Sequence, residues 1–456
     1  MTLTPDQEQA ISYIETKLLK ENQQYVFLQG YAGTGKTTCI REFCNRHKTM
    51  SLVLAAPTHK ALHVLIRSVD MPIQADTIHS LLGVAPDFEN SEYAIKNAIF
   101  TAKSKHKVTP DSILIIDEAS MISEVLCALI KDIVNITHSK VIFMGDPDQI
   151  PPINEKSSRT LMVKNIFKLT KVIRQEHDNP ILDMLTKIRN GETFEFLPCN
   201  NFTEDGRGYS IIADKKKWTS LVESTFTTKD KYIAWSNKAV NKFNKDIRKF
   251  QGRGKEIEIG EVLTCYKSYE DYCSECSIVD SNCVIKAAPT ARKYHNSVDY
   301  EVKYTGSAVL QGKQKSVPVK ILDLERIYDS NLSTTHILTE SNTEFQEGIL
   351  PLLLEHHNVA MDKTTAAFSR KKAWESYYKI LSILPPFFNI NDKWKPIVQR
   401  YWNFGYGITA HKSQGSTYEN VYVDVKDILT CRNENEKYNL IYTALSRASK
   451  RLYIYA

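Results

Sequence analysis

Long hydrophobic runs are missing from this sequence. Apolar runs such as residues 112–116 are far shorter than the roughly 20 residues that a membrane-spanning helix needs, so we expect no such span. The first residues, MTLTPD, lack the basic stretch and apolar core of an export signal. Cysteine is scarce, odd in number at nine and irregular in spacing, which favours a reducing cytosol.

A strong excess of charge of either sign is also absent. The chain has 59 Lys+Arg against 53 Asp+Glu, a formal net charge of +6 over 456 residues. This excess is too weak to indicate a nucleic-acid partner, so any phosphate-binding surface must come from local clustering. The composition, 42% hydrophobic and 25% charged, excludes a collagen-like or wholly disordered chain. The length allows about three domains.

Continuous apolar runs mark the candidate strands. They are typical of strands buried on both faces, and helical segments between them predict an α/β fold with parallel sheets. The runs are residues 25–29, 51–56, 113–116, 141–144, 232–235, 421–423 and 452–455. Residues 255–350 instead alternate polar and apolar positions, which favours an antiparallel β insertion. Residues 368–384 predict a helix that ends at Pro385 and Pro386.

Residues 30–37, GYAGTGKT, fit the pattern G-x-x-x-x-G-K-[ST] between a predicted strand and a predicted helix. Small residues let consecutive backbone N–H groups surround phosphates, and the helix N-terminus adds its dipole. Lys36 is expected to reach the β- and γ-phosphates of ATP, and Thr37 to ligate Mg²⁺. The alternative is a glycine-rich turn with an incidental lysine, which the strand and helix on its flanks disfavour.

Two further polar segments follow predicted strands. Asp117 and Glu118 end the strand 113–116, where Asp117 is suited to hold Mg²⁺ through water and Glu118 to polarise the attacking water. Without a nucleotide-binding loop, such a pair is equally well an ordinary surface ending. Gln149 follows the strand 141–144, and its neutral amide suits a nucleotide sensor; a proline-rich loop is the alternative.

The order of these segments resembles superfamily 1 helicases of the RecD/Pif1-like group, and most closely the Dda helicases of T4-type phages. Residues 56–61, 77–80, 117–120, 145–149, 169–175, 409–417 and 442–448 resemble helicase motifs Ia, Ib, II, III, IV, V and VI. Residues 3–10 are similar to the Q motif. Several motifs in one order are far more specific than any single motif. Between residues 255 and 400 the resemblance rests on position and composition only.

The resemblance implies an α/β fold of two RecA-like domains, with ATP bound in the cleft between them. The first would take residues 1–71 and 111–180, and the second 181–254 and 400–456. A small pin insertion would occupy residues 72–110, and an SH3-like β insertion with helices residues 255–399.

The resemblance also implies site residues. Gln7 would recognise adenine, and further nucleotide contacts would come from Gly30, Ala32, Gly33, Thr34, Gly35, Thr38, Gln414 and Gly415. Arg174 and Arg447 would neutralise charge on the γ-phosphate in the transition state, the logic of an arginine finger. Taken alone, each arginine is also compatible with a surface ion pair.

A DNA-facing set follows from the same motifs, since short polar side chains at strand ends suit phosphate contacts. The set is Pro57, Thr58, His59, Thr77, His79, Thr409, His411 and Lys412, with Phe88 as the aromatic of the pin. Aromatic side chains offer either base stacking or core packing, and for any one of them core packing is favoured. These are Trp235, Trp394, Tyr401, Trp402 and Phe404.

The function implied is an ATP- and Mg²⁺-dependent DNA helicase that moves 5′→3′ on single-stranded DNA. It would act as a monomer on single-stranded and forked DNA, with possible replication or recombination partners, in the host cytoplasm if phage-encoded. The alternative is an ATP-switched DNA clamp without processive unwinding; a P-loop kinase is a distant third. Cys265, Cys273, Cys276 and Cys283 are spaced unlike common zinc sites, so unligated thiols are favoured over Zn²⁺.

Overall fold

The computed structural model describes most of the chain. The described residues are 3–31, 33–86, 100–102, 105–152, 155, 157–170, 179–190, 192, 194–279, 282–311, 316–327, 329–339, 342, 345–388, 397–398 and 400–456. Only the backbone is described at 85–86, 100–102, 271–279, 282–292, 308–311, 316–318, 382–383 and 435. The chain folds as two compact units, residues 1–243 with 407–456 and residues 244–406.

The strands are numbered in chain order. They are β1 (Tyr25–Gly30), β2 (Leu52–Ala56), β3 (Gln74–Thr77), β4 (Val84–Pro86), β5 (Phe100–Ala102), β6 (Ile113–Ile116), β7 (Lys140–Gly145), β8 (Ile166–Leu169), β9 (Cys199–Phe202), β10 (Gly208–Ile212), β11 (Lys231–Ala234), β12 (Val262–Cys265), β13 (Tyr269–Val279), β14 (Asn282–Tyr294), β15 (Asp299–Gln311), β16 (Ser316–Arg326), β17 (Leu332–Ile337), β18 (Phe387–Phe388), β19 (Arg400–Phe404), β20 (Gly407–Thr409), β21 (Tyr418–Asp424) and β22 (Ala448–Tyr455).

The α-helices connect these strands. They are α1 (Pro5–Glu15), α2 (Lys36–Arg46), α3 (His59–Val69), α4 (Ile78–Leu81), α5 (Glu124–Ile136), α6 (Pro180–Arg189), α7 (Lys215–Thr225), α8 (Asn237–Phe250), α9 (Leu350–Met361), α10 (Ala367–Ile383), α11 (Ala410–Ser413), α12 (Val425–Ile428) and α13 (Glu434–Leu445). Short 3₁₀ or π turns lie at Thr16–Lys20, Ala119–Met121, Arg159–Met162 and Phe345–Ile349. Within the described residues, no helix has the length and apolarity to cross a membrane.

The first sheet has the strand order β3-β2-β6-β7-β1-β8, and every pairing in it is parallel. Successive side chains of a strand point to opposite faces, so both faces of this sheet need cover. Val26 and Leu28 pack with α1 and α2 on one face, whereas Phe27 packs with residues of α5 on the other. The expected parallel sheet, buried on both faces, is confirmed.

The second sheet has the order β20-β11-β21-β22-β10-β9. Its pairings are parallel except for the edge strand β9, which runs antiparallel to β10. Helices α6, α11, α12 and α13 contribute to its apolar core, which includes Met184, Val425 and Leu440. Both parallel sheets belong to the same compact unit.

The other unit, residues 244–406, is dominated by antiparallel strands. Its main sheet has the order β17-β16-β15-β12-β19-β18, and β13 and β14 form a separate hairpin. The expected antiparallel structure and the helix α10 before Pro385 are confirmed. Its likeness to an SH3 domain stays a prediction, as do the predicted domain limits. Two strands pair outside the predicted domain that contains them. β3, within the predicted pin insertion, pairs in the first sheet, and β19, within the predicted second RecA-like domain, pairs with β12.

A buried ion pair stabilises the antiparallel unit. Arg248 Nε lies 2.6 Å from Glu261 Oε1, and the Glu261 side chain is fully buried. Glu261 also accepts hydrogen bonds from the Tyr406 hydroxyl at 3.1 Å and from the Glu258 N–H at 2.8 Å. Truncating one partner leaves the other charge buried and unpaired.

Glu261→Ala is therefore expected to lower the free energy of unfolding of this unit by about 3–5 kcal/mol. Glu256→Ala is the control, because the exposed Glu256 side chain pairs with Lys320 at 3.0 Å, while alanine keeps the backbone carbonyl that accepts from Arg248 Nη2. We expect that control to cost under about 1 kcal/mol. Urea unfolding of the full chain compares the two variants; equal, small losses would contradict the role of the buried pair.

Candidate nucleotide and DNA sites

The loop between β1 and α2 has the conformation that its sequence predicts. Gly35 has φ 83° at the N-cap of α2, a left-handed conformation that favours glycine. Lys36 Nζ donates to the carbonyls of Gly30 at 2.6 Å and Tyr31 at 3.1 Å, so its charge lies at the mouth of the loop. The Thr34 hydroxyl donates to the Tyr31 carbonyl at 2.9 Å and thereby closes the turn.

The acidic pair lies directly after β6, on a strained backbone. Glu118 has φ 51°, which is uncommon for a residue with a side chain, and its N–H donates to Asp117 Oδ1 at 2.8 Å. Burial raises the pKa of Asp117, and nearby Lys36 opposes this effect. Burial, with the adjacent Asp117 charge, raises the pKa of Glu118 to about 7, while Arg447 and Lys36 act in the opposite direction.

Residues 146–150, which we call the sensor loop, follow β7. Gln149 is buried, and its Oε1 has no hydrogen-bond partner among the described residues. The same holds for Glu118 Oε2. Buried polar atoms of this kind are normally satisfied. Both residues line one cavity, so these two atoms mark a position that a polar ligand fits.

Arg447 follows α13, in the part of the compact unit that contains the second sheet, and it is buried. Its guanidinium donates to the carbonyls of Thr443 at 2.9 Å and Ser416 at 3.2 Å, and to the Ser446 hydroxyl at 2.8 Å. Three hydrogen bonds fix its plane. Arg447 is also close enough to Glu118 to lower the pKa of that carboxyl.

A cavity of about 590 Å³ joins these groups. The predicted residues that line it are Gln7, Gly33, Gly35, Lys36, Thr37, Thr38, Asp117, Glu118, Gln149, Gly415 and Arg447. Residues from both parallel sheets therefore share one cavity. Gln7 is held by a capping box, in which its Oε1 accepts the Thr4 N–H at 3.0 Å.

Three predicted nucleotide ligands do not line the cavity. Gly30 offers its carbonyl to Lys36, and Thr34 is buried beneath the loop. The Gln414 amide donates to the Ile150 carbonyl at 3.0 Å, so this side chain binds the sensor loop instead. Ala32 and Arg174 lie outside the described residues.

The predicted DNA-facing residues lie at the carboxyl ends of parallel strands. Ala56 pairs with Thr77, so residues 57–59 and 77–79 share one edge of the first sheet. Thr409 pairs with Ala234 at the corresponding edge of the second sheet. Phe88 lies outside the described residues.

Several of these side chains have local roles. Thr58 caps α3 by accepting the Ala61 N–H at 3.2 Å, and Thr77 is buried as the cap of α4. Burial lowers the pKa of His79, which favours its neutral form. His411 Nε2 lies 3.1 Å from Glu436 Oε1.

The candidate stacking aromatics divide into core and partly exposed residues. In this conformation Trp402 does not offer a surface for base stacking, since its side chain is fully buried and its Nε1 donates to the Tyr269 hydroxyl at 3.0 Å. Phe404 is buried too, with the Arg248 guanidinium 4.0 Å from its ring centre. Tyr401 and Trp235 are partly exposed, and Trp394 lies outside the described residues.

Unligated thiols at the four cysteines of the antiparallel unit stay a prediction. Cys265 is buried in β12, and its thiol lies 3.1 Å from the Lys267 carbonyl oxygen. The side chains of Cys273, Cys276 and Cys283 lie outside the described part. Among the described residues, no cluster of three or more His, Cys, Asp or Glu suits a metal.

Two contacts near the cavity have no counterpart in the sequence motifs. The Arg189 guanidinium lies 3.5 Å from the centre of the Tyr31 ring, in a cation–π contact between α6 and the phosphate loop. Gly415, at φ +71°, brings its backbone so close to α3 that an added Cβ would lie 3.0 Å from Ala61 Cβ. Both are contacts between distant parts of the chain, and no local motif predicts either.

Comparison with known proteins matches both ends of the chain. Residues 2–202 match the AAA domain family, and residues 404–455 match the UvrD-like helicase C-terminal domain. Protein R530 of Acanthamoeba polyphaga mimivirus is 28% identical over 96% of each chain. The ATP-dependent DNA helicase Dda of Enterobacteria phage T4 is 29% identical over 59% of this chain and 63% of Dda. The ATP-dependent DNA helicase PIF1 of Saccharomyces cerevisiae is 24% identical over 95% of this chain and 57% of PIF1.

Two parallel sheets, a phosphate loop, an acidic pair and an arginine in one cavity define a P-loop nucleotide-binding protein. The family matches and the relatives narrow this class. The chain is similar to the RecD/Pif1-like group of superfamily 1 helicases, with which both family matches and these relatives are consistent.

Proposed function

We propose that this protein is an ATP-driven DNA helicase that moves 5′→3′ on single-stranded DNA and separates duplex strands. One observation carries the proposal: Arg447 shares the cavity with Lys36 and Glu118, although it lies between α13 and β22, next to the second sheet. A nucleotide there would contact both halves of the unit, which is what converts hydrolysis into relative motion of two domains.

The chemistry assigns a task to each side chain. The amides of the phosphate loop and Lys36 bind the β- and γ-phosphates. Glu118 accepts a proton from the attacking water, so its carboxylate must be ionised, and the nearby Lys36 and Arg447 charges favour that form. Gln149 orients the water and the γ-phosphate. Arg447 neutralises the charge that develops in the transition state.

A magnesium ion fits the same cavity. The Thr37 hydroxyl and the Asp117 carboxylate both line it, and oxygen donors of this kind suit Mg²⁺. A site with one or two carboxylates is enough, because phosphates and water supply the other ligands. When bound, the ion would neutralise phosphate charge.

The proposed DNA path runs along the strand ends of the two sheets, over Pro57, Thr58, His59, Thr77, His79, Thr409, His411 and Lys412. Contacts to phosphates would hold the strand without reading its sequence. The proposal extends to a role in phage DNA replication or recombination in the host cytoplasm, with the protein acting as a monomer. Two relatives, R530 and Dda, are viral proteins, which supports a viral setting.

Strand separation on defined substrates tests the proposal. We expect unwinding of a duplex with a 5′ single-stranded tail, no unwinding with a 3′ tail, and ATP turnover that single-stranded DNA stimulates. Turnover without separation would indicate an ATP-switched clamp. Separation only from the 3′ tail would contradict the direction of movement and leave the helicase assignment standing.

Phe88→Ala is expected to slow unwinding several-fold and to spare DNA-stimulated ATP turnover, because an aromatic wedge acts on the terminal base pair and not on ATP. Residue 88 lies between β4 and β5, which pair as an antiparallel hairpin. Unwinding and turnover are measured on the same forked substrate, with Tyr93→Ala compared in parallel. Equal loss of both activities in Phe88→Ala would identify a core residue instead.

A further inference from the structure

The sensor loop is bound on one side by α13, a helix of the second sheet. The Tyr442 hydroxyl donates to Asp146 Oδ2 at 2.9 Å. Asn439 Nδ2 donates to the carbonyls of Asp148 at 2.8 Å and Gln149 at 3.1 Å. Thr443 Oγ1 also accepts the Ile150 N–H at 3.3 Å. We call these three residues of α13, Asn439, Tyr442 and Thr443, the clasp.

The clasp holds mainly backbone atoms, so it fixes the course of the loop rather than one side chain. The clasp also contacts one side chain, that of Asp146, and burial of this carboxylate costs free energy. Asp146 is fully buried beside other carboxylates. Burial is the main cause that raises the pKa of Glu118 and of Asp148, and the Asp146 charge raises both further. A buried carboxylate is unfavourable unless hydrogen bonds satisfy it. Tyr442 and the Asp148 N–H, at 3.1 Å, supply two.

The two ends of α13 reach the two proposed ligand sites. Near its start, Glu436 lies 3.1 Å from His411, which belongs to the proposed DNA path. Just after its end, Arg447 faces the nucleotide cavity and bonds to the carbonyl of Thr443, a member of the clasp. One rigid helix thus contacts the DNA-facing segment, the loop that carries Gln149 and the proposed arginine finger.

We propose that α13 couples DNA binding to ATP hydrolysis by placing Gln149 and Arg447 together, and that Tyr442 is the positioning residue of this coupling. This inference rests on the proposed function. When DNA shifts the segment around His411, α13 moves with it, and both γ-phosphate-facing side chains move as one. Neither reaches its catalytic position separately, so hydrolysis depends on the DNA site.

Tyr442→Phe tests the coupling because it removes only the hydroxyl that binds Asp146. We expect turnover with saturating single-stranded DNA to fall about 10- to 100-fold, within the usual range of coupling between sites. Affinity for a non-hydrolysable ATP analogue should stay within about twofold, since the phosphate loop supplies that binding. The ratio of turnover with DNA to turnover without it should fall as well.

Tyr438→Phe is the matched control. Tyr438 lies on the same helix and is partly buried against the same core, and no hydrogen bond of its hydroxyl is found among the described residues. We expect its turnover to stay within about twofold of the original protein. Asp146→Ala combined with Tyr442→Phe should cost little more than Asp146→Ala alone, because Asp146→Ala already removes the contact that Tyr442→Phe removes.

Hydrogen exchange separates this inference from the proposed function, because it needs neither turnover nor unwinding. In Tyr442→Phe the backbone amides of residues 148–150 should exchange at least about tenfold faster, while those of β7 keep their protection. Unchanged exchange and unchanged turnover would overturn the clasp. Loss of analogue binding equal to the loss of turnover would make Tyr442 a merely structural residue. Absence of strand separation by the unmodified protein would refute the helicase proposal alone.

Discussion

Replacing Lys36 with alanine is expected to abolish ATP turnover and to leave the fold intact. Among the described residues, Lys36 Nζ donates to carbonyls of its own loop, so the change removes no hydrogen bond to the apolar core. Loss of the ammonium group removes stabilisation of the β- and γ-phosphates as charge develops, an effect worth about 10²–10³-fold or more. ATP hydrolysis is measured with saturating single-stranded DNA, and circular dichroism reports the fold.

Lys48→Ala is the matched control, because Lys48 is an exposed lysine just beyond the end of α2. We expect its turnover to equal that of the unmodified protein. Hydrolysis by Lys36→Ala close to the normal rate would refute the assignment of residues 30–37 as the nucleotide loop.

Arg447→Ala is expected to lower the rate of hydrolysis by about 10³-fold while most of the ATP affinity remains. The phosphate loop supplies the affinity, whereas Arg447 acts on charge that appears only in the transition state. Arg447→Lys should rescue poorly, because the guanidinium uses three fixed donor directions, toward Thr443, Ser416 and Ser446, which an ammonium does not reproduce.

Binding of a fluorescent ATP analogue and turnover, both with saturating single-stranded DNA, separate the two effects. Arg432→Ala is the control, an exposed arginine in the same part of the chain. If analogue binding by Arg447→Ala collapses as fully as turnover, Arg447 binds the ground state or supports the fold, and its proposed role as an arginine finger is refuted.

The strands and the phosphate loop were predictable because their signals are local. A run such as residues 113–116 is apolar because both faces of its sheet are covered, and the loop conformation follows from glycines at fixed spacing. Asp117 and Glu118 follow from their position at the end of such a strand. These features need only neighbouring residues.

Contacts between distant segments were not predictable in the same way. The motif around Gln414 indicates a nucleotide ligand, yet the direction of its amide depends on the Ile150 carbonyl, 264 residues away in sequence. The pairs Tyr31–Arg189 and Asp146–Tyr442 have no local signal either. Trp402 and Tyr401 are adjacent in sequence, yet the first is fully buried and the second partly exposed, and no local pattern distinguishes them, since Asn403 is buried as well.

The missing side chain at Gly415 sets the width of the nucleotide cavity. Its backbone lies very close to Ala61, so the two walls of the cavity that carry Gly415 and Ala61 approach each other where both residues are small. A single methyl group at this position would act as a spacer, besides straining a backbone at φ +71°. Arg447 would then stand farther from Lys36 and Glu118 without any catalytic atom having been changed. The distance between Arg447 and the residues of the phosphate loop would thus depend on the absence of a Cβ atom at position 415.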